Sequence, residues 1–159
     1  NFHPISLLSY ISKILEKYVA QVLTSFCEVQ GQLHSFQSGF RKGHSAEGVI
    51  VAVLDDLCIA ANKNLSSVLI LLDLSTAFDT IDHRILISRL RALGLSGSVI
   101  LWLSSFLHGR SQAVRVGEFT SPSSFLGCRV PQGSGLSPLL FNIYLQPLMS
   151  TLAQMDCKV

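Results

Sequence analysis

The sequence predicts an α/β domain from three observations. Apolar residues recur every three or four positions in several stretches, which is the spacing of amphipathic helices. One short run, Val68–Leu72, is continuously apolar and is typical of a strand that is buried on both faces. Glycine and proline separate these stretches, as they do where turns join helices and strands.

The first predicted helix runs from Pro4 to about Phe26. Polar residues lie between its apolar positions, which indicates one face toward a core and one toward water. The residues expected on the apolar face are Ile5, Leu8, Ile11, Leu15, Val19, Val22 and Phe26.

A polar segment from Gln30 to His44 follows and contains the main basic stretch of the chain. Ser45 can cap a second helix, because its hydroxyl can accept a hydrogen bond from a free N–H of the first turn. The apolar face of that helix is expected to contain Ile50, Val53, Leu54 and Leu57.

Two further helices are expected after the apolar run. Asp82 can cap the first, which should end at Gly94, and Ser96 can open the second, which should end at Gly109. The expected apolar faces contain Ile85, Leu86, Leu90 and Leu93 in one helix, and Val99, Ile100, Leu103 and Leu107 in the other.

The remaining part of the chain predicts two short strands and a last helix. Ala113–Val116 and Phe125–Val130 are the strand candidates. Ser137 followed by proline is a usual helix start, and Pro147 should kink or end that helix. Its expected apolar face contains Leu139, Leu140, Ile143 and Tyr144.

The composition is more apolar than that of an ordinary domain. Hydrophobic residues make up 48% of the 159 residues and charged residues 14%, against about 25% charged in a typical soluble domain. Polar residues interrupt each apolar stretch well before the roughly 20 residues that a membrane span needs. We therefore expect no membrane contact, and we expect the apolar faces to be covered by segments that this sequence lacks.

Charge, cysteines and the first residue add weaker indications. A net charge of +2 neither requires nor excludes a nucleic-acid partner. The four cysteines form no Cys-x-x-Cys pair, which favours reduced thiols in an intracellular protein over a disulfide framework or a zinc site. Because the chain begins with Asn1 and has no signal-peptide pattern, we expect it to be a fragment.

Asp73 is the most informative single residue, because it follows the apolar run directly. A buried, unpaired carboxylate is costly, so a strand-end aspartate needs a partner. The residue pattern leaves three alternatives open: exposure to solvent at the strand end, a basic side chain, or a bound cation.

Four segments resemble, in order, the blocks of a reverse transcriptase of the non-LTR (LINE-type) retrotransposon class. The resemblance covers almost the whole chain. The segments are Asn1–Leu8 with Ser12–Lys17, Gln37–Ser45, Leu72–His83, and Val130–Ser134 with Leu136–Tyr144.

The resemblance implies the chemistry of Asp73. In such enzymes this carboxylate is a catalytic residue and binds the two Mg²⁺ ions of nucleotidyl transfer, and the backbone carbonyl of Leu74 is a further oxygen ligand. Two ions of this kind stabilise the attacking 3′-oxygen and the leaving pyrophosphate.

The resemblance also implies the nucleotide contacts. Phe78 matches an aromatic residue that lies under the sugar of the incoming deoxynucleotide, and an ordinary core phenylalanine is the alternative. Gln132 and Gly133 match a pair that contacts the nucleotide, and a tight turn before the last helix is compatible with that role. Arg41 matches a residue that meets phosphates, with an exposed loop arginine as the alternative. Asp79, Asp82 and His83 are assigned no chemistry.

Three departures from the family pattern stand out. His3 replaces the usual arginine of the first block, and Gly135 replaces a usual aliphatic residue. The Tyr-Ala-Asp-Asp block, which supplies the remaining metal-binding carboxylates, is absent from the sequence, as is the thumb. We therefore expect the isolated chain to be an inactive fragment of an RNA-directed DNA polymerase.

The implied fold is that of a right-hand polymerase. Residues of about 1–66 correspond to fingers and residues of about 67–159 to the first half of the palm, with helices packed on an incomplete antiparallel sheet. The implied partners are an RNA template, a DNA primer, deoxynucleotides and the missing palm and thumb segments, and the implied location is nuclear.

Two other hypotheses remain open at this point. The chain could be a retroelement relic or a domesticated module that binds nucleic acid or another partner without catalysis. It could also fail to fold stably in isolation.

Overall fold

The computed structural model describes residues 6–74 and 76–154. Its α-helices are α1 (Tyr10–Val29), α2 (Ala46–Asn62), α3 (His83–Ala92), α4 (Gly97–Leu107) and α5 (Ser137–Gln154), and Ala77–Asp79 form a 3₁₀ helix. The strands are β1 (Ser111–Gln112), β2 (Arg115–Val116), β3 (Phe119–Thr120) and β4 (Ser124–Phe125). Helices with small antiparallel sheets confirm the α/β class in this coarse form.

The chain divides into two compact units. The first, called here the packed unit, comprises Asn1–His34 and Thr76–Val159, and the second, called the open unit, comprises Ser35–Ser75. In the packed unit α3 packs against both α4 and α5. The fully buried apolar side chains of this core include Ile81, Leu86, Leu90, Leu103, Leu107, Leu136 and Leu140. The predicted division near residue 66 stays a prediction.

Local signals at helix ends are confirmed. The Ser45 hydroxyl accepts a hydrogen bond from the Gly48 N–H at 3.1 Å, which caps α2. An Asp82 carboxylate oxygen accepts two N–H bonds of the first turn of α3, the shorter at 2.7 Å. Gly94 follows α3 with a φ of +92°, the left-handed conformation that glycine adopts readily after a helix.

The predicted apolar face of the first helix is confirmed only in part: Val19 and Phe26 are half-buried against the core, and other predicted positions are exposed. Ile11 is 79% exposed, and Leu15 and Val22 are also exposed. The face of α1 that lies in the core is rotated and contains Glu16, Leu23 and Cys27. The rotation has a physical cause, since the Ser12 and Ser134 hydroxyls donate hydrogen bonds to the Glu16 carboxylate and make its burial possible.

The buried strand predicted at Val68–Leu72 is wrong in the part of the chain that the structure describes. All five side chains are 56–86% exposed, and the segment has no regular secondary structure. A central strand requires hydrogen-bonded neighbours on both sides. The four described strands lie between Ser111 and Phe125 and pair with one another instead. Asp73 is therefore exposed, and the burial argument for a partner does not apply to it.

The two strand candidates are confirmed only in part. β1 pairs with β4 and encloses the β2–β3 hairpin, both in antiparallel register. Of the predicted Phe125–Val130 strand, Phe125 alone lies in β4, and Val130 is buried before the last helix. Pro147 does not end that helix, because α5 continues through it to Gln154.

The predictions for the two ends of the chain lie outside the described residues. They concern the replacement at His3 and the stretch 155–159. The helix predicted to start at Pro4 begins instead at Tyr10, after its N-cap Ser9, so the predicted start is wrong. Within residues 6–74 and 76–154, none of the helices has the length and apolar character needed to cross a membrane.

Candidate functional site

Two segments of the packed unit that resemble catalytic blocks lie side by side. The Val130 N–H donates to the Phe78 carbonyl at 3.0 Å, and the Arg129 N–H donates to the Ile81 carbonyl at 3.0 Å. The buried His83 ring places Nε2 at 2.6 Å from the Arg129 carbonyl. These bonds fix the 3₁₀ helix and the start of α3 against the segment that leads into α5.

Gln132 and Gly133 form the tip of a tight turn. The Ser134 N–H donates to the Pro131 carbonyl at 3.2 Å, which closes the turn. Gly133 has a φ of +92°, a positive value of the kind that a type II turn requires at its third residue, and only glycine adopts it without strain. The Ser6 N–H donates to the Gln132 carbonyl at 2.9 Å and holds the central peptide of the turn. The turn and the nucleotide contact predicted for these residues are thus compatible.

Asp79 connects this turn to the 3₁₀ helix. The Gln132 side-chain amide donates to Asp79 Oδ1 at 3.4 Å, and Arg129 Nε lies 3.6 Å from the same oxygen. Both members of the ion pair are partly buried. Arg129 also has a φ of +95°, a strained backbone value for a residue with a side chain. Sequence reasoning assigned Asp79 no role, and the structure makes it the partner of a predicted site residue.

Phe78 lies at the edge of the core. Its ring centroid is 5.2 Å from that of Phe141 on α5, with the two planes tilted by 43°. The side chain is half-buried, so one part of the ring packs against the core and another part remains accessible. Both of the alternatives for this residue are compatible with that position.

Asp73 and Leu74 belong to the open unit and are exposed. A carboxylate and a backbone carbonyl are the hard oxygen ligands that Mg²⁺ prefers. Among residues 6–74 and 76–154, however, no group of three or more His, Cys, Asp or Glu side chains is arranged to hold a metal ion. The type of donor therefore fits magnesium, while the described donors are too few for a two-metal site.

Arg41 also belongs to the open unit. Its Nη1 atom donates to the Gln37 carbonyl at 3.4 Å, and its side chain is half-buried. The bond is long, and a guanidinium is the type of group that binds phosphates through paired N–H donors. The six predicted site residues thus separate into Phe78, Gln132 and Gly133 in the packed unit, and Arg41, Asp73 and Leu74 in the open unit.

Asp82 and His83 have the structural roles expected from the sequence. The backbone N–H of Ile85, followed by the side chain and N–H of Arg84, lowers the pKa of Asp82 below its usual value. His83 lies in the first turn of α3 and is buried.

Sequence reasoning missed Glu16, whose carboxylate is only 1% exposed. The Ser12 hydroxyl donates to Oε1 at 2.5 Å, and the Ser134 hydroxyl donates to Oε2 at 2.5 Å. A signal for this burial exists in the sequence, because small and apolar residues recur at helical spacing around Glu16 and share one face of the helix with it. These residues are Ser12, Glu16, Ala20, Leu23 and Cys27.

Comparison with known proteins places this geometry in a family. The family model described as reverse transcriptase (RNA-dependent DNA polymerase) matches residues 1–159. A probable RNA-directed DNA polymerase from transposon X-element of Drosophila melanogaster is 34% identical over 144 residues, which cover 91% of this chain and 16% of that protein.

Other relatives agree. The RNA-directed DNA polymerase from mobile element jockey of Drosophila funebris is 31% identical and also covers 91% of this chain and 16% of its own length. A Pol polyprotein from a type-1 retrotransposable element R2 of Popillia japonica is 28% identical over 96% of this chain and 21% of that protein. The chain thus spans about a fifth or less of the length of these relatives. It belongs to the reverse transcriptase family of RNA-dependent DNA polymerases, with relatives in non-LTR retrotransposons.

Proposed function

We propose that this chain forms part of the nucleotide site of an RNA-directed DNA polymerase, which adds deoxynucleotides to a DNA primer on an RNA template. The observation that carries the proposal is the Gln132–Gly133 turn and its bond to Asp79, beside Phe78. Gly133 is exposed at the tip of the turn, and Gln132 is half-buried. A fixed, accessible backbone with an amide side chain suits contact with a base pair and a sugar.

The catalytic role falls to Asp73. Its exposed carboxylate and the Leu74 carbonyl would supply two oxygen ligands of Mg²⁺, and other residues of the active polymerase would supply the rest. Two bound Mg²⁺ ions supply the charge stabilisation for nucleotidyl transfer. Arg41 would contribute an N–H fork to a phosphate.

The family suggests which polymerase subdomains the chain belongs to and where the parent enzyme acts. Residues of about 1–66 would belong to the fingers and residues of about 67–159 to the palm of a right-hand polymerase. The parent enzyme would act on RNA and DNA in the nucleus. The mixed helices and small sheets of the packed unit are compatible with such a fragment.

Primer extension on an RNA template tests the proposal. We expect no Mg²⁺-dependent extension by the 159-residue chain, because Asp73 is the one carboxylate that the resemblance assigns to the ions. A version extended to the length of the relatives should extend the primer. Its Asp73→Ala variant should lose at least about 100-fold in rate, since a metal centre provides several kcal/mol of transition-state stabilisation.

Matched controls separate the possible results. Asp55→Ala removes an exposed aspartate of α2 and should leave the rate unchanged. Extension by the short chain that vanishes with Asp73→Ala would contradict the expected inactivity. Template binding without extension by either version would favour a non-catalytic nucleic-acid-binding module.

A further inference from the structure

Glu16 occupies an unusual position for a carboxylate. It lies on the core-facing side of α1, and both of its oxygens accept serine hydroxyls. A buried carboxylate is costly unless hydrogen bonds satisfy it. One of the two serines, Ser12, lies on the same helix one turn earlier, whereas Ser134 is 118 residues away in the chain. The second bond therefore ties α1 to the nucleotide-facing turn.

The Ser134 hydroxyl has a double role. It donates to Glu16 Oε2 and accepts the Leu136 N–H at 3.2 Å. The Ser134 backbone N–H meanwhile closes the turn on the Pro131 carbonyl. Glu16 thus orients one of two serine side chains that hold the turn, the other being Ser137, whose hydroxyl donates to the Pro131 carbonyl at 2.9 Å.

The turn needs this support because of its glycine. The central peptide of a turn can rotate between the type I and type II arrangements, and glycine at the third position allows both signs of φ. Ser6 holds the Gln132 carbonyl on one side, and Ser134 fixes the base of the turn on the other. Loss of the Ser134 anchor weakens the base of the turn, so the Gln132–Gly133 peptide, still held by the Ser6 N–H, should rotate more readily.

We propose that Glu16 is a positioning residue for the incoming nucleotide, acting through Ser134 on the Gln132–Gly133 turn. This inference rests on the proposed function of the turn. Glu16 itself touches no nucleotide in this arrangement. Glu16 should stabilise the conformation of the turn that binds the nucleotide. Its loss should therefore change the KM for deoxynucleotides more than the affinity for primer and template.

The two serines provide matched variants. Ser134→Ala and Ser12→Ala each remove one hydroxyl from the same buried carboxylate, and only Ser134→Ala disconnects the turn.

In a polymerase of the relatives' length that contains this sequence, we expect Glu16→Ala and Ser134→Ala to raise the KM for deoxynucleotides about tenfold. One lost hydrogen bond accounts for a factor of this size. Ser12→Ala should change the KM less than about twofold. The double variant of Glu16 and Ser134 should be no worse than either single variant, because both act on one bond.

Hydrogen exchange of the 159-residue chain gives a readout that needs no activity. We expect Glu16→Ala and Ser134→Ala to accelerate exchange of the amides at positions 134 and 136, which donate to the Pro131 carbonyl and the Ser134 hydroxyl, and Ser12→Ala to leave those amides protected. Glu16→Gln keeps the shape of the side chain, so it should retain much of the protection. It replaces Glu16→Ala in this experiment if that variant fails to fold.

The possible results separate the two proposals. Equal KM effects of Ser12→Ala and Ser134→Ala would overturn the positioning role, since general destabilisation would then explain both. A Gln132→Ala variant that raises KM, with Glu16→Ala and Ser134→Ala at the wild-type value, would overturn the inference alone. A Gln132→Ala variant with unchanged KM would overturn the nucleotide role of the turn and the inference with it.

Discussion

The packed unit and the open unit are both rich in apolar residues, and only the packed unit buries them. Its helices α3, α4 and α5 enclose a continuous core, while none of the described residues of Ser35–Ser75 is buried. Burial depends on a complementary face and not on apolar content alone. The predicted site divides in the same way, with the Gln132–Gly133 turn fixed by hydrogen bonds and Asp73 on an exposed segment.

Core truncations provide the largest test of this contrast. Leu140→Ala removes a fully buried side chain of α5 and should lower the free energy of unfolding by about 2–5 kcal/mol, because it leaves a cavity. Leu71→Ala alters an 84% exposed residue of the open unit and should change it by less than about 0.5 kcal/mol. Urea unfolding followed by Trp102 fluorescence measures both. Equal losses would contradict the exposure of Leu71.

Thiol labelling compares the exposure of one cysteine in each unit. Burial, followed by the charge of Glu28, raises the pKa of Cys27 to about 11, and Cys58 of α2 is exposed. With one of these cysteines retained and the others replaced by serine, we expect Cys58 to react with a maleimide at pH 8 at least about 100-fold faster, because thiolate fraction and access both favour it. Similar rates under native conditions would contradict the burial of Cys27.

Backbone strain should affect stability only in the packed unit. Arg129 has a φ of +95°, and Arg129→Gly removes strain on the order of 1 kcal/mol that Arg129→Ala retains. Both variants lose the ion pair with Asp79, so the glycine variant should be the more stable by about that amount in urea unfolding. Phe40 of the open unit has a φ of +56°, and Phe40→Gly should leave the unfolding midpoint unchanged. A shift with Phe40→Gly would show that the open unit unfolds together with the core.

The smallest expected effect is a pH dependence at the start of α3. Hydrogen bonds from Ile85 and Arg84 lower the pKa of Asp82 in the folded state, so its contribution to stability is present above the unfolded pKa. It should be lost as the pH falls below about 4 and through the folded pKa. Asp82→Ala should therefore be less stable than the wild type at pH 7 and approach it in acid. Asp55→Ala on α2 is the control and should follow the wild-type profile.

Sequence reasoning succeeded where the cause is local. Ser45, Asp82 and Gly94 begin or end helices through atoms within a few residues, so a single segment of sequence contains the whole signal. The blocks that resemble reverse transcriptases were likewise recognisable from short stretches, and the family is confirmed.

It failed where the cause is distant. The Val68–Leu72 segment has strand-like composition, and the pairing partners that would make it a strand cannot be inferred from that composition. The spacing of small residues around Glu16 indicates which face of α1 could be buried, but it does not reveal the hydrogen bond to Ser134, which is 118 residues away. The bond between Gln132 and Asp79 joins residues 53 positions apart and was equally out of reach.

The bond between Glu16 and Ser134 also has a consequence for biosynthesis. The ribosome must add 118 residues after Glu16 before Ser134 exists, which takes about 6 to 24 s at roughly 5–20 residues per second. During that interval the Glu16 carboxylate can accept the Ser12 hydroxyl but not that of Ser134. The buried position of Glu16 therefore cannot be completed until the segment before α5 has been made, and a pause in translation before that point would extend the interval.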